Sequence, residues 1–481
     1  MNETTKTGLM ILTAAAALGM LGDALLRVGP PGVNGFLWTA VLAGAVLLLG
    51  RDRMTTTAGD GRWMLLPALL FAAGLVWRDS PALQALDLLA VGGSLALAAH
   101  YARSGDLRRA GVADYIAGAV LAGVWAAGGL LPVVASDIAW SELRSGGPSG
   151  QVRAVAKGLL LALPLLLVFG ALFMAADAAF EHLVTGVVGL NLDRLFSHLV
   201  LAGFFAWVVG GYLRSCLLAK RPDLTRVERP IVFTLGSVET GVILGLLNAL
   251  FLAFVLVQFR YFFGGSALVA ASTGLTYAEY ARRGFFELVA VATLVLPTLL
   301  IGHWLQSSAR EHLFRWLAGT LVALLYVIMG SAVQRMLLYQ QAFGLTELRL
   351  YTSAFMVWLA VVFAWFLLTV IRGRRERFAF GALVSALAIL AALHVLNPDA
   401  FIVQTNLARA GSGRSFDGAY ATSLSADAVP VLLEAGSALG DAERVELANR
   451  WAPTDQSDWR TWNWGRSQAR RAVLELRVQG R

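Results

Sequence analysis

Glu279, Arg282 and Arg283 sit beside Tyr277 and Tyr280 in one short polar stretch, 274–288, of a chain otherwise dominated by apolar residues. At helical spacing, a carboxylate three and four residues from two guanidiniums either pairs with them or leaves them to an anion such as a phosphate ester. A second stretch, 339–351, carries Arg349 and Tyr351 just beyond a glycine, Gly344. A third, 396–409, holds Asp399, Asn406 and Arg409 after Pro398. Together these groups could read an anionic ligand, or, as Glu279 with Arg282, Arg283 and Arg349, supply a carboxylate and basic groups to a membrane enzyme working on a lipid-linked or anionic substrate.

Each stretch also has a purely architectural reading. Thr276 with Glu279 three residues later forms a capping box, so a helix starts there with its tyrosines at the headgroups and its arginines on lipid phosphates. The 339–351 stretch reads as a tight helix–helix connection with a snorkelling arginine. The third reads as a helix break at a membrane exit, with Asp399 capping the helix that follows.

The sequence has no GxxxxGK[ST] phosphate loop, no HExxH and no GxSxG elbow. Its six histidines are scattered and it has one cysteine, Cys216, which cannot build an internal disulfide or a thiolate metal cluster. No metal or other cofactor is expected. The catalytic residues of an enzyme cannot be named from this pattern.

The elements that position these stretches are long apolar runs. Of 481 residues, 57% are hydrophobic and 15% charged, and the mean hydropathy is +0.66. No soluble fold buries that much apolar surface. The runs near 8–26, 34–50, 62–77, 82–100, 111–135, 158–177, 195–218, 239–258, 284–305, 313–334, 350–371 and 378–396 approach the length a helix needs to cross about 30 Å of hydrocarbon. A barrel would alternate polar and apolar residues, so the fold class is all-α: a polytopic transmembrane helical bundle of about eleven to thirteen spans. The 49 glycines fit close helix packing in lipid. The net charge of +8 belongs to short loops, which argues against nucleic acid. Lys6 followed by an apolar run reads as an uncleaved first helix.

Arginines crowd two loops, at 372–377 and 214–229, and place both in the cytoplasm. Alternation then puts 178–194, 259–283, 335–349 and everything after 397 outside. In the N-terminal third, loops 51–62, 101–110 and 138–157 are all basic, which strict alternation forbids. Either the 111–135 segment dips without crossing, or one of these loops defies the rule. Ionisable residues in or near the runs are Asp23, Asp87, Asp177, Glu239, Glu287, His303, Arg335 and His394. Of these, Asp87 and Glu287 look the best buried, each as a helix–helix contact or part of a polar pathway.

After Asn397 hydropathy collapses. The tail reads as a small helical appendage with Asp441 capping a helix from Ala442, and with Trp451, Trp459, Trp462 and Trp464 as its core or as an aromatic belt on the headgroups. Three parts follow: N-terminal transmembrane helices over 1–140, a transmembrane core over 150–396, and an extramembrane tail over 397–481.

The stretches TYAEYARRGFFEL, LYQQAFGLTELRLYTSAF, NPDAFIVQTNLAR and DGAYATSLSADAVPVLLE, with AKGLLLALPLLLVFGALFMAADAAFE before them, resemble the bacterial membrane proteins grouped as domain of unknown function 4173. The resemblance covers roughly 150–435. It implies a multi-pass protein of the bacterial plasma (inner) membrane and brings no activity with it. The expected function is a transporter-like, sensory or scaffold role in the envelope with its working face and tail extracytoplasmic; the alternative is the membrane enzyme described above. Expected partners are membrane lipids and an envelope protein or anionic ligand.

Overall fold

A computed structural model describes residues 1–51, 59–103, 105–142, isolated positions between 155 and 180, 192–219, 236–273, 285–305, 311–452 and 458–478. The regular elements among the described residues are all helices, with no strand among them. Nine of the described helices are long and apolar enough to cross a membrane. The expected run at 158–177 falls outside the described residues save for isolated positions, and those at 62–77 and 111–135 form shorter helices. The Thr276 capping box, Glu279, Tyr280, Arg282 and Arg283 also lie outside the described residues.

The chain divides into two compact units: Met1–Leu107, Tyr115–Pro222 and Thr454–Trp464 make the first, and Arg108–Asp114, Asp223–Pro453 and Gly465–Arg481 the second.

In the first unit, α1 (Glu3–Leu26), α2 (Val33–Gly50), α3 (Leu65–Trp77), α4 (Pro81–His100), α5 (Val112–Gly128) and α6 (Leu192–Leu217) follow in order. Asn2 caps α1 by accepting the Thr4 N–H at 2.8 Å. α1 packs along α6 at very close range. A Cβ built on Gly19 would stand 2.5 Å from the Ala202 carbonyl oxygen, so only glycine permits this approach. α3 and α4 form an antiparallel hairpin with a turn over Arg78–Ser80. Although α3 has 13 residues, it is bracketed by Trp63 and Trp77, with Arg62 5.5 Å from the first ring centroid and Arg78 4.6 Å from the second. Trp63, Leu66, Leu70 and Trp77 share one exposed apolar stripe with an indole at each end.

The chain over 111–138 starts and finishes at the same end of the first unit. At its start the Tyr115 hydroxyl donates to the Leu107 carbonyl at 2.8 Å, and Gly118 lies against the His100 ring at the end of α4. At its close the Ala139 N–H donates to Thr5 Oγ1 at 3.1 Å, beside the start of α1. Asp137 takes the Arg214 guanidinium at 2.5 Å, near the end of α6. Its farthest tie along α6 is the Trp207 indole, which donates to Ala127 O at 2.9 Å. That is ten residues from the end of α6, about 15 Å along its axis. The break has a local cause: Gly129 takes φ +59, and a π-turn over Val133–Asp137 carries the chain back.

The start of α3 and the ends of α4 and α6 meet at that same end. Gly61 N–H donates to Tyr101 O at 3.2 Å, linking the start of α3 to the end of α4. Arg103 donates to Leu218 O at 2.8 Å, linking α4 to α6.

The second unit contains α7 (Ser237–Thr273), α8 (Phe285–Leu305), α9 (Glu311–Phe343), α10 (Glu347–Thr369), α11 (Phe378–Leu396), α12 (Pro398–Ala410), α13 (Gly418–Ser423), α14 (Val429–Glu434) and α15 (Asp441–Arg450); α16 (Trp464–Val478) ends the described chain. α7 continues through 259–273, where an outer loop was expected. No proline or long polar run interrupts it there, and its 37 residues exceed what the hydrocarbon alone requires. α7, α8, α9 and α10 bury one apolar cluster around Phe285, Phe314, Leu321, Leu325, Phe363 and Phe366.

A second cluster builds the tail: Ile402, Val403, Leu424, Val429, Leu432, Leu447, Ala469 and Val473 pack with Leu345 and Leu350, which flank the start of α10. Trp451 borders it, but Trp459, Trp462 and Trp464 are exposed and are not its core. Asp441 does not cap either: α15 begins at Asp441 itself, after an extended Gly440 with no side-chain cap.

Candidate functional site

Two of the three candidate stretches meet at the turn between α9 and α10. The turn needs Gly344. Its φ is +81, and a Cβ there would stand 2.8 Å from Asn406 Oδ1 and 3.1 Å from Arg409 Nη2. From α12, Asn406 accepts the Leu345 N–H at 2.7 Å and donates to the Leu345 carbonyl at 2.9 Å. One turn on, Arg409 donates to Ala342 O at 3.1 Å, satisfying a carbonyl at the end of α9 that has no partner within the helix.

Arg349 folds back on the same turn. It donates to the Gly344 carbonyl, and its guanidinium lies 3.9 Å from the Tyr339 ring centroid. This is a cation–π arrangement rather than a snorkel. Tyr351, one turn into α10, is half-buried.

The first N–H of α10 is capped from the tail. Thr346 makes no side-chain cap; instead the Tyr420 hydroxyl accepts the Glu347 N–H at 2.9 Å. Tyr420 is held by Asp417, whose carboxylate accepts the Tyr420 N–H at 2.9 Å. Burial pushes the Tyr420 phenol above its ordinary pKa; the Glu347 N–H opposes this, the Glu347 and Asp399 carboxylates add to it, and Arg349 works the other way.

Asp399 does not cap α12. Asn397 takes the left-handed conformation at φ 55, a region asparagine tolerates, and Pro398 starts the helix. The Asp399 carboxylate is fully buried and accepts from the Ser425 hydroxyl at 2.5 Å and the Ser425 N–H at 3.3 Å, bracing α12 against the next turns of the tail.

The described candidates are thus spent largely on backbone groups and on one another. Asn406, Arg409 and Tyr420 act as latches from the tail to the α9–α10 turn, and Arg349 braces that turn from within. Sequence reasoning missed Tyr420 and Ser425, because residues twenty or more positions apart carry no spacing signal.

The intramembrane candidates separate. Asp87 is fully buried on α4. Glu239 and Glu287 are exposed on the first turns of α7 and α8, where a carboxylate favours the positive helix terminus; Glu287 is therefore not the buried contact expected. His303 stacks edge-on to Phe314 at 5.2 Å.

Sequence reading flagged Asp23 but not its partners. In the first unit its carboxylate receives Arg27 Nη2 at 2.5 Å and His198 Nδ1 at 2.5 Å, and Arg27 donates to Ser197 Oγ at 2.6 Å. This triad ties α1 to α6. Among the described residues no group of His, Cys, Asp and Glu could hold a metal ion.

A family described as a domain of unknown function, DUF4153, matches residues 65–435. This replaces the number 4173 that the motifs resembled. It also begins well before residue 150, taking in α3, α4 and α5, whose apolar runs lack polar motifs by which to notice them. No curated protein and no solved structure matches the chain.

Proposed function

The chain belongs to the DUF4153 family, and from that premise we propose a non-enzymatic, multi-pass protein of the bacterial plasma membrane whose tail forms a platform on the extracytoplasmic face. The observation that carries this reading is the latch of Asn406, Arg409 and Tyr420 on the α9–α10 turn. An enzyme site needs a carboxylate and a cation facing a substrate. Here Asp399 faces Ser425, and Arg349 faces a backbone carbonyl and a ring.

Orientation follows from charge. In the first unit, Arg51, Arg62, Arg103 and Arg214 lie at the end where α1 begins. In the second, Arg372, Arg374, Arg375 and Arg377 fill the loop opposite the latch. Positive residues mark the cytoplasmic side, so α1 begins inside and the latch and tail lie outside. Among the described residues there are nine candidate spans; we count α3 and the sequence's apolar run at 158–177 as two further crossings, eleven in all. That odd number agrees with an inside N-terminus and an outside tail.

Complementation of a deletion strain by Arg349→Gln tests the class. A platform predicts that lost function goes with a protease-sensitive tail. Lost function with a fully protected tail would favour the enzyme acting on a lipid-linked or anionic substrate.

A further inference from the structure

The tail segment Asp458–Trp464 is tied to the ends of three helices of the first unit. The Asn463 side chain, buried to 1% exposure, donates to Leu75 O at 2.8 Å and Arg78 O at 2.9 Å, at the end of α3. The Trp462 carbonyl accepts the Val33 N–H, the first of α2, at 3.0 Å. Arg460 donates to Ala24 O in the last turn of α1 at 2.5 Å. These are end groups that a helix leaves without partners of its own and that usually turn to water. The segment also fits tightly, since a Cβ on Gly32 would stand 2.5 Å from the Trp462 carbonyl oxygen.

Although its backbone is so firmly held, its indoles face outward: Trp459 is 63%, Trp462 44% and Trp464 43% exposed. Trp77 and the Arg78 guanidinium over its ring lie at the α3 terminus that Asn463 grips. Three further facts select the occupant of this face. It is held at the ends of α1, α2 and α3, the first two of them long and apolar enough to cross a membrane. The α3 terminus that Asn463 grips is also where the exposed stripe of Leu66, Leu70 and Trp77 finishes. Its chemistry, rings with an N–H handle beside guanidiniums, is that of the membrane interface, where rings meet acyl chains and cations meet phosphate.

We propose that Trp459, Trp462 and Trp464, with Trp77 and Arg78, form an interfacial clasp seated in the phospholipid headgroup layer, so that lipid is the partner of this face of the tail. Its seating depth is independent of the reading given above; only its assignment to the outer leaflet rests on that orientation.

The test uses full-length protein carrying Cys216→Ala, with single cysteines at Trp459, Trp462 or Trp464, nitroxide-labelled in phosphatidylethanolamine–phosphatidylglycerol vesicles. Leu70→Cys serves as the hydrocarbon reference and Ser412→Cys as the aqueous one. Collision with oxygen against a water-soluble nickel chelate reports depth. The clasp predicts values for all three positions between the two references, near the phosphates. Nickel accessibility equal to that at Ser412 overturns it, and so does protection from both reagents, which would mean a protein covers the rings. Because Trp→Cys changes remove the rings themselves, a second measurement uses intact indoles. Lipids brominated near the headgroup should quench wild-type fluorescence more than that of the triple Trp→Phe variant; equal fractional quenching overturns the proposal. A membrane-impermeant reductant applied to intact spheroplasts reports the leaflet separately.

Discussion

The side-chain amide of Asn406 meets both the N–H and the carbonyl of Leu345, at 2.7 and 2.9 Å. A residue of the tail thereby supplies the two hydrogen bonds that a neighbouring backbone would give to a residue just past the end of α9. Removing the amide leaves both groups without that partner, at roughly 1–3 kcal/mol for each one buried. Asn406→Ala should lower the unfolding midpoint in detergent and expose 411–417 to protease. Unchanged protease protection would mean that the latch is held by its apolar core alone.

Arg349 is predicted to tolerate lysine poorly. Lysine keeps the charge but loses the planar fork that reaches the Gly344 carbonyl while lying on Tyr339. In the platform reading, Arg349→Lys and Arg349→Gln loosen the tail to similar extents in limited proteolysis. A site that reads only charge would instead keep function with lysine and lose it with glutamine.

Helix contact between α1 and α6 should respond to volume at one glycine and not at another. Gly19→Val drives atoms into the Ala202 carbonyl, 2.5 Å from the built Cβ, and overpacking of this kind costs about 1–3 kcal/mol. Gly44→Ala, with nothing within 4 Å of the added Cβ, should leave the midpoint unchanged. Thermal unfolding of the two variants in the same detergent makes the comparison.

Acid should release the 458–464 segment. The hydrogen bonds from Arg460 hold the Asp458 carboxyl below its ordinary pKa. A folded-state pKa lower than the unfolded one gives stability that is present above the unfolded value and lost as pH falls through the folded one. A nitroxide at 462 should therefore stay immobile from neutral pH down to about 4 and gain mobility below that. Asp458→Asn should abolish this transition. An identical acid transition in that variant would assign it to another group.

The membrane fold was legible because hydropathy reports burial in lipid directly, one residue at a time. Gly344 and Pro398 announced their turns for a similarly local reason, since φ preferences need no tertiary context. The path of 111–138, which starts and finishes at one end of the first unit, showed in the sequence only as a contradiction among basic loops. Resolving it required Ala139 beside Thr5 and Asp137 beside Arg214, pairs separated by 134 and 77 positions. Asp399 misled in the opposite way. An acid after a helix break ordinarily caps, but here Ser425 competes for it and wins. The tail tryptophans fitted either a core or an interfacial belt, because indoles serve both; the Asn463 and Arg460 bonds hold their backbone at helix ends with the rings outward.

The claim most worth direct measurement is that the latch and tail lie outside the cytoplasm. In a Cys216→Ala background, Ser412→Cys places a thiol on the exposed end of α12, and Glu376→Cys places one in the arginine-rich loop between α10 and α11. Intact spheroplasts are treated with a membrane-impermeant maleimide before and after permeabilisation. Labelling of position 412 in intact spheroplasts, with position 376 labelled only after permeabilisation, is the predicted result. The reverse pattern would place the latch in the cytoplasm and contradict the account.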